Sequence, residues 1–158
     1  MSLNTASIEA AIKEIQSYQE WIKRKTTDFV ERLANEGAIQ ALIGYESADY
    51  HGQKDVDVNV EDRGDNTFAI VASGETVLIL EFGAGVTYGY GHPLAMQYGM
   101  GPGTYPGQKH AFDPQGWWLP PEAGGGHTYG NAPSMTMYNV GKDLRERMVE
   151  IAREVFSS

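Results

Sequence analysis

The sequence predicts an α+β fold in which two helices flank a small antiparallel sheet. Apolar residues recur at helical spacing from Ser7 to Asn35, alternate with polar residues from Val56 onward, and return to helical spacing near the C-terminus. A segment rich in glycine, proline and aromatic residues, Gly83–Pro133, precedes the last helix. At 158 residues the chain is expected to be a single domain, 1–158, with 83–133 as a long loop insertion.

The first helix is predicted over Ser7–Asn35, with Ser7 as its N-cap. Along one face of this helix, here called the apolar stripe, residues recur at alternating steps of four and three. Gln19 and Thr26 occupy two of these positions. At 1.5 Å per residue such a helix is roughly 42 Å long, so part of it is expected to overhang or to pack on a neighbour. Gly37 is expected to end or bend it, and Ala38–Tyr45 to form a second short helix. The apolar stripe consists of Ile8, Ile12, Ile15, Ile22, Phe29 and Leu33.

Three strands joined by short turns are predicted next, as an antiparallel meander. The first lies around Val56–Glu61, where valines alternate with polar residues. The second is Thr67–Ala72, and the third is Thr76–Phe82, whose apolar character suggests a central place in the sheet.

The C-terminal helix is predicted from one apolar face and a start signal at Pro133 and Ser134. It is expected to pack on the sheet beside the first helix. The face consists of Leu144, Met148, Ile151 and Val155.

The insertion Gly83–Pro133 holds 13 of the 19 glycines and all 7 prolines, but only three formal charges. Loops this long are uncommon in compact domains and are usually functional or disordered. Disordered segments are poor in aromatic residues, and this one is rich in them. It is therefore expected to become ordered against its own domain or a neighbouring subunit.

The aromatic residues of the insertion allow three interpretations. They form a protein interface, where Trp and Tyr are enriched, or a small core that folds the loop onto the sheet, or a sugar-stacking surface. The first two are compatible, because one Trp of an adjacent pair can point inward while the other points outward. The residues concerned are Trp117, Trp118, Tyr105, Phe112 and Tyr129.

Composition argues against several classes of function. A net charge of −9 argues against nonspecific nucleic-acid binding. The chain has no cysteine, no apolar run long enough to span a membrane and no visible signal peptide, which fits a cytoplasmic site of synthesis. The chain has no Gly-x-Ser-x-Gly motif, which would mark the nucleophile of a hydrolase. Gly99–Gly107 lacks the Lys-Ser/Thr that follows the glycines of a phosphate-binding loop. We expect no catalytic residue and no cofactor.

Three histidines of the insertion, His92, His110 and His127, lie in the same segment as Asp113 and Glu122. Imidazoles and a carboxylate could bind zinc. Their spacing matches no compact ligand motif, so hydrogen bonding to loop backbone is the favoured interpretation and no metal site is predicted.

The run Glu81-Phe82-Gly83-Ala84-Gly85 closes the third predicted strand. Phe82 is expected to lie on the core face, and Gly83 and Gly85 are expected to allow a sharp turn or a positive φ. Glu81 is expected to bind backbone amides of the loop. The motif would then seat the insertion; the alternative is a plain strand end with a turn.

These five residues and the order of elements resemble the tail-completion (neck) proteins of tailed bacteriophages, the HK97 gp10-like family. The segments Ala132–Tyr138 and Glu150–Phe156 are similar to the family's approach to its last helix and to that helix. The chain departs from the family in lacking a Thr-Gly-x-Leu-type motif before the sheet and in the length of Gly83–Pro133.

The resemblance implies a non-enzymatic virion assembly protein at the head–tail junction or tail end of a phage or phage-derived particle. It implies a ring, sixfold by analogy, with other head-completion, tail-terminator or tail-tube proteins as partners. No direct contact with nucleic acid or membrane is expected, because the chain is acidic and lacks a long apolar run. Assembly would take place in the host bacterial cytoplasm. Neck protein, tail terminator and cap of a contractile particle remain open. Two rivals are a carbohydrate- or wall-binding module that uses the aromatic loop and a metal-dependent hydrolase that uses the histidines.

Overall fold

The computed structural model describes residues 5–88, 91–100 and 112–157. The fold mixes helix and sheet, with long helices at both ends of the chain, as the sequence predicts. Its strands form two separate antiparallel pairs, β1 with β2 and β3 with β4. In chain order the elements are α1 (Thr5–Ser47), β1 (Asp57–Asp62), β2 (Phe68–Ser73), α2 (Val77–Phe82), β3 (Trp117–Trp118), β4 (His127–Thr128) and α3 (Thr136–Ser157).

Helices α1 and α3 pack side by side and run in opposite directions. Their apolar faces meet, and polar pairs bridge the two helices along one edge. α3 packs chiefly against α1 rather than covering the sheet as predicted. The bridging pairs are Arg32 with Glu154, Glu36 with Arg147 at 3.0 Å, and Gln40 with Asp143 at 2.9 Å.

The prediction that Gly37 ends the first helix is wrong, as is the prediction of a separate short helix at Ala38–Tyr45, because α1 continues to Ser47. Gly37 is buried where α1, β2 and α3 meet, and a Cβ there would lie 2.5 Å from the Cδ1 of Ile70. The glycine therefore serves close packing and does not break the helix.

The N-terminal part of α1 extends beyond the rest of the described chain. Every residue of Thr5–Glu20, here called the overhang, is exposed. Packing begins at Trp21, whose ring meets that of Phe156 edge-on at 5.9 Å between centroids. Ser7 lies inside the helix rather than at an N-cap.

The strands β1 and β2 form a hairpin that packs on α1. Its turn holds two non-glycine residues at positive φ, Asp65 at 48° and Asn66 at 57°. Asn66 also accepts a hydrogen bond from the hydroxyl of Thr27, which ties the turn to α1.

The third predicted strand, Thr76–Phe82, is wrong, because this run forms helix α2. Its backbone N–H groups bond to carbonyls four residues earlier, Leu80 to Thr76 and Gly83 to Ile79, both at 2.9 Å, and Leu80, Glu81 and Phe82 are buried in succession. A short apolar run does not distinguish strand from buried helix by its period, and here the tertiary contacts decide. No three-stranded sheet forms among the described residues.

The described parts of the insertion contain regular structure. A 3-10 turn lies at Ala95–Tyr98 and a second at Pro121–Ala123, and β3 and β4 form a short hairpin. A bridge between Ala84 and Asn131 joins the start of the insertion to its end, with N–O distances of 2.9 and 3.1 Å.

Two glycines inside helices should respond in opposite directions to alanine. Gly141→Ala places a Cβ that has no described atom within 4 Å apart from its chain neighbours and the backbone of its own helix, so we expect a gain of about 0.5–1 kcal/mol from helix propensity. Gly44→Ala gains the same propensity but places its Cβ 2.6 Å from the Cγ2 of buried Thr136, so we expect net destabilisation. Urea unfolding of both variants beside the wild type measures this, and equal shifts of the same sign would refute the packing role of Gly44.

Candidate functional site

A buried carboxylate, that of Glu81 in α2, lies where four segments of the chain meet. Only 6% of the residue is exposed. Its Oε2 accepts hydrogen bonds from the hydroxyl of Tyr45 at 3.1 Å and the backbone N–H of Met137 at 2.9 Å. Its Oε1 accepts from the N–H of Tyr138 at 3.1 Å and lies 3.2 Å from Nε2 of His92. We call these five residues the Glu81 cluster.

Two of these donors belong to the first turn of α3. The first N–H groups of a helix have no partner within it, and a negative charge at this end is favourable. Glu81 supplies both the acceptors and the charge. Met135, just before the helix, has a φ of 53°, an uncommon conformation for a side-chain-bearing residue. Its own N–H donates to the carbonyl of Glu81 at 3.3 Å, so the same residue anchors the turn that starts α3.

Tyr45 brings the C-terminal end of α1 to the cluster. Its side chain is among the most buried in the described chain. Burial raises the pKa of the Tyr45 phenol, and the negative charge and hydrogen bond of Glu81 raise it further. The phenol therefore remains a neutral donor to the carboxylate.

His92 brings the insertion to the cluster. Its Nδ1 accepts a hydrogen bond from the N–H of Leu94 at 3.1 Å, which leaves Nε2 to donate to Glu81. The ring packs between Phe82, at 4.4 Å between centroids, and Tyr138, at 5.7 Å. Both nitrogens of this histidine are thus engaged.

A cleft of about 470 Å³ opens beside the cluster. Aromatic and aliphatic side chains line most of it, and Arg145 of α3 adds a charge. The cluster borders the cleft without offering it a free acid or base, because each oxygen of Glu81 and each nitrogen of His92 already has a partner. The geometry suits a structural joint better than a general acid–base pair, which needs hydrogen-bond access to a substrate.

The predicted loop-seating motif lies where α2 ends and the insertion begins. Phe82 is buried, and Gly83 and Gly85 adopt positive φ of 78° and 82°. A Cβ on Gly85 would lie 2.4 Å from the carbonyl oxygen of Tyr129, so glycine permits the close approach of the insertion's end. Glu81 binds amides of α3 rather than amides of the insertion, which it reaches through His92.

The predicted interface residues fall in different environments. Trp118, Phe112 and Tyr129 are 76, 65 and 54% exposed. Trp117 is half-buried and approaches Gly85, so one Trp of the pair lies inward and the other outward. Tyr105 lies outside the described residues. On the hairpin, the ring of His127 meets those of Trp118 and Tyr129 edge-on, at 5.3 and 5.0 Å.

The histidines considered as metal ligands are not brought together where they are described. His92 is buried in the Glu81 cluster, whereas His127 belongs to the exposed hairpin; His110 lies outside the described residues. Within residues 5–88, 91–100 and 112–157, no three His, Asp or Glu side chains are grouped so as to hold a metal ion. Nor is any helix in those ranges long and apolar enough to cross a membrane.

Sequence reasoning missed the partners of Glu81. Tyr45 and the amides of Met137 and Tyr138 are separated from it by 36, 56 and 57 positions, beyond the reach of any local pattern. One signal was present: an acidic residue inside the apolar run Val77–Phe82 must find partners if that run is buried.

Comparison with known proteins gives no relative. No protein-family model matches the chain, and no significant match was found among curated proteins or solved structures. The resemblance to neck proteins therefore stays a prediction.

Replacing Glu81 with glutamine should destabilise the fold strongly. The amide NH₂ of Glu81→Gln would face donors on whichever side it lies, leaving buried N–H groups unpaired. We expect a loss of roughly 2–3 kcal/mol in the free energy of unfolding, measured by urea titration. Glu150→Gln, on an exposed residue of α3, is the matched control and should change little. A loss below about 0.5 kcal/mol for Glu81→Gln, the size of an ordinary surface change, would show that the cluster does not hold the fold together.

Proposed function

We propose that this chain is a structural, non-enzymatic assembly protein, a ring subunit at the head–tail junction or tail end of a phage or phage-derived particle. Its partners would be identical copies, six by family analogy, and adjacent head-completion, tail-terminator or tail-tube proteins. The particle would be its place of action and the host bacterial cytoplasm its place of assembly. The phage assignment rests on the motif resemblance, and the subunit role rests on two exposed surfaces.

The observation that carries the subunit role is the overhang. Its apolar residues lie on the side of α1 that packs against the rest of the protein further along, yet in a single chain nothing described covers them. Contiguous exposed apolar surface marks interaction sites. A subunit that buries this stripe against another chain accounts for it.

The β3–β4 hairpin offers a second surface. Trp118 and Tyr129 stand out from it on either side of His127. Directly after β4 the chain passes close to Gly85 at Tyr129 and bonds to Ala84 through Asn131, which supports the hairpin. Large aromatic side chains on a firm support resemble the anchors that dominate protein interfaces.

The site chemistry supports a non-enzymatic role. The buried acid and imidazole of the Glu81 cluster are occupied by hydrogen bonds that join α1, α2, the insertion and α3. A subunit that must keep its shape under the load of neighbours benefits from such a joint.

A second candidate function is favoured by the same hairpin. Aromatic faces in a row also stack on sugar rings, so a carbohydrate- or wall-binding module would use Trp118 and Tyr129. Titration of purified protein with cell-wall glycan separates the two, since the assembly proposal expects no binding that depends on Trp118.

The two tryptophans should have separable roles. Trp118→Ala removes an exposed ring, so we expect unchanged melting and a loss on the order of 2 kcal/mol in assembly. Trp117→Ala removes a half-buried ring, so we expect roughly 1–3 kcal/mol of lost folding stability. Calorimetry and a particle-incorporation assay measure the two effects.

Unimpaired incorporation of Trp118→Ala would exclude the hairpin as an anchor. Cryo-electron microscopy of particles that carry the tagged chain tests the location: the proposal expects repeated density around the tail axis. A single copy away from any symmetry axis, or no incorporation, would overturn it.

A further inference from the structure

The overhang carries a regular stripe. Ile8, Ile12 and Ile15 are 46, 50 and 58% exposed, and Ile22 at its base is 38% exposed. With Gln19 they follow the four–three spacing by which helices pack on helices. The stripe therefore fits a second helix of the same spacing better than a sheet or a loop.

The overhang lacks the packing that stabilises the rest of α1. Its 16 residues, Thr5–Glu20, are all exposed, whereas helices in proteins draw most of their stability from the packing of an apolar face. Covering the stripe would stabilise this part of α1.

The charges beside the stripe indicate what the partner is. Glu9 directly follows Ile8, and Lys23 directly follows Ile22. The two charges therefore lie on the same edge of the stripe, at the same heptad position and two heptads apart. In a parallel pair in register they lie about 21 Å apart along the axis, at 1.5 Å per residue. In an antiparallel pair flanking places of this kind face one another, so Glu9 of one copy comes beside Lys23 of the other.

We propose that the overhang pairs in antiparallel fashion with the overhang of a second copy of this chain. Ile12 of one copy lies level with Ile22 of the other, and Ile15 lies level with Gln19. Glu9 and Lys23 pair across the interface at both ends. The rest of each chain then lies at opposite ends of the pair.

This contact is isologous and closes on itself as a dimer, whereas a ring needs a head-to-tail contact through a different surface. The inference rests on the proposed function only in treating the chain as a self-associating subunit. The dimer would be the form in which free chains shield their stripes, and the hairpin would remain available to the ring.

Cysteine cross-linking tests the pairing directly, because the chain has no cysteine of its own. Ile12→Cys and Ile22→Cys, which the pairing places level with each other, are prepared separately and oxidised alone and as an equimolar mixture. We expect a disulfide-linked dimer in the mixture and none with either variant alone. Only the mixed pair brings facing stripe positions within the roughly 4–7 Å Cα spacing of a disulfide, whereas like positions lie about 15 Å apart along the axis. Cross-linking of either variant alone, or none in the mixture, overturns the antiparallel pair.

Sedimentation equilibrium supplies the second readout. Ile12→Gln with Ile15→Gln removes the centre of the stripe, and we expect the dimer dissociation constant to rise at least about tenfold. Ser17→Gln, on the opposite face of the overhang, is the matched control and should leave it unchanged. A wild-type chain that stays monomeric at about 1 mM overturns the proposal. If the stripe variant then also fails to enter particles, the partner of the stripe is another particle protein and the proposal is still overturned. Imaging of a ring in particles is independent of these results, so failure of the pair and failure of the ring are distinguishable.

Discussion

The rest of the structure depends on a buried carboxylate that must find partners. An unpaired charge in a protein interior is strongly unfavourable, and removing one partner of a buried group costs more than the pair contributes. Glu81 meets this requirement with donors from α1, the insertion and the first turn of α3. The position of one side chain thereby fixes where α3 begins, how α2 lies against α1 and where the insertion leaves the fold.

That joint leaves two parts of the molecule projecting. On the N-terminal side of Trp21 every residue of the first helix is exposed, and the insertion ends in a hairpin that exposes Trp118. Two glycines of α1 let other elements approach this helix closely on the same side. Gly37 faces both β2 and α3, and Gly44 faces α3. Under the proposed function, each of the two uncovered surfaces would meet a different neighbour.

The sequence predicted the elements whose evidence is local. The four–three stripe of α1 and the face of α3 are repeated many times over, so both helices were found, and the alternating valines gave β1. Predictions failed where distant contacts matter: Val77–Phe82 is a helix whose last three residues are buried against distant segments, and Gly37 lies inside α1 at the place where Ile70 packs closely. Tyr45 could not be assigned to the site from the sequence, because it lies 36 positions from Glu81 and no local pattern links the two residues.

Amide hydrogen exchange at Met137 and Tyr138 tests the central role of Glu81 most directly. First-turn amides of a helix lack intrahelical partners and ordinarily exchange quickly. If the carboxylate holds them as described, both should exchange only through global unfolding, with protection equal to the free energy of unfolding. Exchange at the rate of open, solvent-exposed amides in the native protein would contradict this account.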